Sequence, residues 1–115
     1  MKDIHIYVNK LIRSINDNDE YVRASSINSL GELKAKIPFE MRRKAVKGII
    51  KAGKDHKNIV RHAAAIATGQ LREVIFSEGM MALAVERLMR LSYDREPGIR
   101  GAAAISLGEL NDNIP

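Results

Sequence analysis

The stretch Asp94-Arg95-Glu96-Pro97-Gly98-Ile99-Arg100-Gly101-Ala102-Ala103-Ala104-Ile105-Ser106-Leu107-Gly108 decides the fold of this 115-residue chain. A polar turn leads into Pro97, which suits the first turn of a helix, and an alanine-rich run follows to Leu107-Gly108. Moved 39 residues upstream, the same columns hold Asp55, Val60-Arg61, Ala64 and Gly69; another 38 residues upstream they hold Asp17, Val22-Arg23, Ser26 and Gly31. Leu33, Leu71 and Leu110 keep this register, as do Ile37, Ile75 and Ile114. Earlier in each unit, Val8, Val46 and Val85 align, and so do Leu11, Ile49 and Leu88. Self-similarity at such a period marks stacked supersecondary units. The one-residue difference falls between Pro38 and Val46 in one unit and Phe76 and Val85 in the next, where a surface loop absorbs it.

Each unit divides into two helical stripes. The first buries Val8, Leu11, Ile12 and Ile15, then Val46, Ile49 and Ile50, then Val85, Leu88 and Met89, all at three- and four-residue steps. The second buries Val22, Ser26, Leu30, Leu33 and Ile37, then Val60, Ala64, Thr68, Leu71 and Ile75, then Ile99, Ala103, Leu107, Leu110 and Ile114. Between the stripes lie Asn16-Asp17-Asn18-Asp19, Lys54-Asp55-His56-Lys57 and Tyr93-Asp94-Arg95-Glu96, turns short enough to make the two helices antiparallel. Gly31, Gly69 and Gly108 are expected to let a neighbouring backbone approach.

These residues resemble the HEAT repeat, in the bacterial and archaeal variety similar to the phycobilisome-lyase HEAT-like repeats. In that family the second helix opens with Asp, often Pro, then Val or Ile and Arg, and runs through Ala-rich turns to Leu-Gly. Asp94, Pro97, Ile99-Arg100, Ala102-Ala103-Ala104 and Leu107-Gly108 match throughout. The first two units keep Asp and Val-Arg but carry Glu20 and Asn58 at the proline position, and Thr68 replaces the leucine in the second. The fold so implied is an all-α, right-handed α-solenoid of three HEAT-like hairpins, about six helices. One domain over residues 1–115 is expected, with repeats near 3–38, 40–76 and 79–115, standing alone or belonging to a longer array. The resemblance also implies a structural ladder of Asp17, Arg23, Asp55, Arg61, Asp94 and Arg100, each carboxylate capping its turn and pairing with the arginine of its own or the next unit.

Composition narrows the function. With no Cys, disulfides and thiolate metal sites are excluded, which is compatible with the reducing cytoplasm expected for this chain. No apolar run reaches the roughly 18 residues of a membrane span. Relatives of the deoxyhypusine hydroxylase type bind iron through His-Glu pairs, but here His5, His56 and His62 precede Ile6, Lys57 and Ala63. HEAT-like DNA glycosylases use aromatic clefts, and this chain has no Trp. No phosphate-binding glycine loop, nucleophile elbow or catalytic carboxylate pair is visible, so the chain is read as a binding module without cofactor or metal rather than an enzyme, with a subunit or domain of a larger enzyme as the distant alternative.

Two faces are candidates for binding. On the second helices the solvent-facing columns are Ala24, Asn28 and Glu32, then His62, Ile66 and Gln70, then Gly101, Ile105 and Glu109. Isoleucines amid polar neighbours suit a protein partner, and Ile66 and Ile105 equally suit cover by the next repeat. The first helices carry Lys10 and Arg13, then Lys44, Lys47 and Lys51, then Arg87 and Arg90, with Arg42 and Arg43 in the preceding loop. With a net charge of +5, this basic face, with Arg13, Lys51 and Arg90 in one column, is the alternative surface, for nucleic acid or an acidic partner. Finally, Ile105, Leu107, Leu110 and Ile114 are expected to be incompletely covered, which favours self-association through the C-terminal end.

Overall fold

A computed structural model describes residues 3–75 and 77–111. These form six α-helices and no strand: α1 (Ile4–Ser14), α2 (Glu20–Leu33), α3 (Phe39–Ala52), α4 (Asn58–Gln70), α5 (Glu78–Leu91) and α6 (Pro97–Leu110). The all-α expectation therefore holds. Helix starts follow from local chemistry. Asp19 accepts the N–H groups of Tyr21 and Val22 ahead of α2, Ser77 Oγ accepts that of Met80 ahead of α5, and Pro97 opens α6, where no intrahelical N–H bond is lost. Thr68, buried in place of the leucine, satisfies its hydroxyl by donating to the Ala64 carbonyl at 2.7 Å.

Helices α2, α4 and α6 pack in sequence as one layer, and α1, α3 and α5 contact one another in the same order in a second. Each helix of one layer also packs on its chain neighbour in the other: α1 on α2, α3 on α4 and α5 on α6. The shortest dimension is 18 Å, the thickness of two helices at interaxial spacings of about 8–10 Å. Between the layers runs one apolar core that includes Val8, Ile27, Leu30, Ile49, Val60, Leu71, Leu88, Ile99 and Leu110. Alanines at 63, 64, 65 and 67 make α4 narrow enough to be embraced from both sides.

Several expected core positions are not core. Val22 is 39% exposed whereas Val60 and Ile99 of its column are buried, because only the latter two lie beside a preceding helix pair. Met89 is 48% exposed whereas Ile12 and Ile50 of its column are buried, because α3 and α5 cover those two and no described helix lies beyond α5 in that layer. Ala24, expected on the surface, is buried by the close approach of α4 to α2. Arg42 and Arg43 lie within α3 rather than in a loop, and Arg42 donates to the carbonyls of Ile37 and Ala35. At the C-terminal end Ile105 is exposed and Leu107 half-buried, but Leu110 is fully buried within the core; Ile114 lies outside the described residues.

Candidate functional site

The three Asp residues of the repeat do the same local work. Asp17, Asp55 and Asp94 each accept, through Oδ1, the backbone N–H two residues ahead, at 2.9, 3.0 and 3.0 Å, forming a tight turn before α2, α4 and α6. The arginines then close the turns. Arg23, Arg61 and Arg100 donate through Nη1 to the carbonyls of Asp17, Asp55 and Asp94, six residues behind, at 2.9, 2.9 and 2.8 Å.

Between helix pairs the partner is the next carboxylate. Arg23 grips Asp55 through Nε and Nη2 at 2.9 and 3.0 Å, and Arg61 grips Asp94 at 2.8 and 3.3 Å. Both are forked contacts of the kind that gives charge-assisted hydrogen bonds their strength. Among the described residues Arg100 has no carboxylate partner, and the Asp17 carboxylate serves only its own turn. Arg61 also donates to Asn58 Oδ1, whose amide in turn donates to Glu96.

These contacts set the carboxylate pKa values. The Arg61 hydrogen bond, helped by the Glu96 N–H and the charges of Arg61 and Arg95, holds Asp94 below the usual carboxylate range against the opposing pull of burial. For Asp55 burial is the largest influence and pushes upward, yet the Arg23 hydrogen bond, the Lys57 N–H and the charges of Arg23 and His56 together outweigh it. Its pKa is also lowered.

At the other end of the same helices a second contact repeats. A β-carbon on Gly31 would collide with Gln70 Oε1 and stand 2.9 Å from Ala67 Cβ; one on Gly69 would stand 2.5 Å from Ser106 Oγ and 2.6 Å from Glu109 Oε1. Gln70 and Glu109, expected in solvent, are instead half-buried over the glycine of the preceding pair. Ser106 donates to the Ala65 carbonyl at 2.6 Å, tying α6 to α4 directly. Gly108, of the same column, meets nothing within 4 Å among the described residues.

The surface of α2, α4 and α6 carries the candidate partner site. A groove of about 470 Å³ is lined by residues including Tyr21, Asn28, Ile59, His62, Glu96 and Ile99. Beside it, and sharing His62 and Gly98, lies a second hollow of about 440 Å³ reached by Ile66, Ile105 and Glu109. Of the residues picked from sequence, Asn28, His62, Ile66, Ile105 and Glu109 thus come together, whereas Glu32 and Gln70 line neither. Ile105 is 68% and Tyr21 69% exposed. The column Tyr21, Ile59 and Gly98 was missed, although it keeps the repeat spacing. Its members stand just beside the Val22 column, at the start of each second helix, where a position reads as turn chemistry.

The basic face is less uniform than a column of charges implies. Arg13, Lys47 and Lys51 are exposed; Arg90 is also exposed but lies 3.7 Å from Glu86. Arg87 is half-buried rather than exposed, because its stem packs on Gly53. No group of three His, Asp or Glu among the described residues is placed to hold a metal ion. No described helix is long and apolar enough to cross a membrane.

Neither protein-family models nor curated proteins gave a match to this chain.

Proposed function

We propose that the chain is a non-catalytic scaffold of three HEAT-like hairpins stacked as a right-handed α-solenoid, and that it holds a segment of a protein partner along α2, α4 and α6. The observation that carries this reading is the pair of adjoining hollows on one side of the molecule, with Tyr21 and Ile105 exposed along it. Exposed apolar side chains beside polar ones suit a protein interface, where aromatic anchors contribute most of the affinity. The polar groups there also fit this role. Asn58 and Glu96 are bonded to each other at 2.8 Å, while Asn28 and His62 remain at the surface for a partner's backbone.

The stacked-hairpin reading is supported by the sequence period together with the two contacts that recur at each boundary between helix pairs. Such a scaffold draws its stability from neighbouring units and presents an extended surface that no single unit offers.

The test is affinity capture from the source lysate by the wild-type chain and by a double variant, Tyr21→Ala with Ile105→Glu. Both side chains are exposed, so helical circular dichroism should be unchanged. A protein held by the wild type and lost by the variant is the expected result. Equal capture by both would move the site elsewhere, and no specific capture by the wild type would reject the scaffold reading.

A further inference from the structure

In the layer of α1, α3 and α5 a cleft of about 310 Å³ opens between α3 and α5. Its lining is Lys47 and Lys51 of α3, Lys54 just beyond, Leu83 and Arg87 of α5, and the buried Ile50. Four cations meet there, and among the described residues none of them forms an ion pair. Glu86, next to Arg87 in sequence, lies 3.7 Å from Arg90 instead.

Arg87 is the informative member. A β-carbon at position 53 would stand 2.5 Å from its Cδ and 2.7 Å from its Cγ, so its stem lies where it does only because residue 53 is glycine. Its Nε is buried and, alone among buried side-chain nitrogens and oxygens of the described residues, has no hydrogen-bond partner. Burial first, and the charge of Arg90 second, pull its pKa below the usual guanidinium value. A buried Nε without a hydrogen-bond partner is costly, and the fold seats this one beside three lysines, with Glu86 only partly offsetting the charge. An oxyanion in the cleft would offset that cost.

We propose that this cleft binds a compact polyanion carrying two or more phosphate groups, with Arg87 as its forked ligand and Lys47, Lys51 and Lys54 as surrounding charges. Four positive charges in so small a space match a diphosphate-type ligand better than a single carboxylate. The planar guanidinium suits bidentate phosphate contact, and the ammonium groups act as point charges. The volume lies near the lower limit of small-molecule sites, about 300–1,000 Å³. No aromatic side chain lines the cleft to stack on a base, which favours a small ligand over a nucleic-acid strand.

Calorimetric titration with pyrophosphate at low and at physiological salt tests this. Saturable binding is expected, weakened about tenfold or more by Arg87→Gln and by Lys51→Gln, the loss of one charge-assisted contact each. Lys51 is exposed, so its substitution keeps the test valid if Arg87→Gln fails to fold. Arg13→Gln, outside the cleft, should leave binding unchanged. Absence of binding at low salt, or equal weakening by Arg13→Gln, would overturn the proposal. Duplex DNA that displaces pyrophosphate and binds more tightly, with a steep salt dependence, would overturn it in favour of a polymer site.

Discussion

Arg61 and Asp94 face each other across the boundary between α4 and α6, both side chains about nine-tenths buried, with Arg61 Nε donating to Asp94 Oδ2 at 2.8 Å. The same guanidinium holds the Asp55 carbonyl and Asn58 Oδ1, so one side chain closes its own turn and clamps the next. Arg61→Ala leaves the Asp94 carboxylate partly buried without its partner. A loss of roughly 1–3 kcal/mol is expected, against under about 0.5 for Arg13→Ala on the exposed face. Equal effects in urea denaturation would show that the clamp contributes nothing to stability.

The same clamp makes stability depend on pH. Asp55 and Asp94 have folded-state pKa values below the ordinary value of about 3.9. Their contribution is therefore complete above that value and is lost as pH falls through the lowered folded values. Chemical denaturation between pH 7 and 2 should show an acid limb, shallower in Asp94→Asn because one titrating group has gone. An identical limb in the variant would assign the acid sensitivity to other carboxylates.

Three glycines of one column should respond differently to alanine. Gly69→Ala places a methyl group 2.5 Å from Ser106 Oγ and 2.8 Å from Ser106 Cβ, and Gly31→Ala drives one against Ala67. Overpacking of this kind costs about 1–3 kcal/mol. Gly108→Ala meets nothing within 4 Å among the described residues and lies inside a helix, where it should stabilise by roughly 0.5–1 kcal/mol. Thermal melts of the three variants give the comparison, and a uniform shift would contradict the packing described.

Lys34 ends α2 with φ 50° and ψ −126°, a conformation that side chains avoid and glycine accepts. Lys34→Gly should raise stability by about 1 kcal/mol through relief of this strain. A lower melting temperature would mean that the lysine side chain supplies more than the backbone conformation costs.

The all-α class, the helix order and most of the buried stripes were legible in the sequence, because a period near 3.6 inside a period of 38 and 39 residues is visible without coordinates. The turns were equally legible, since an Asp that caps its own turn acts over two residues. What only tertiary structure decided was which side each column faces and what meets it. That Arg61 reaches forward to Asp94, that Glu109 lies back over Gly69, and that Arg87 is drawn down onto Gly53 all depend on contacts between helix pairs distant in sequence. The same holds for Val22 and Met89, whose columns match buried residues but whose burial requires a neighbour on one particular side. Hydrophobic spacing encodes the face a residue presents within its own helix, whereas cover from another helix is a property of the packed molecule.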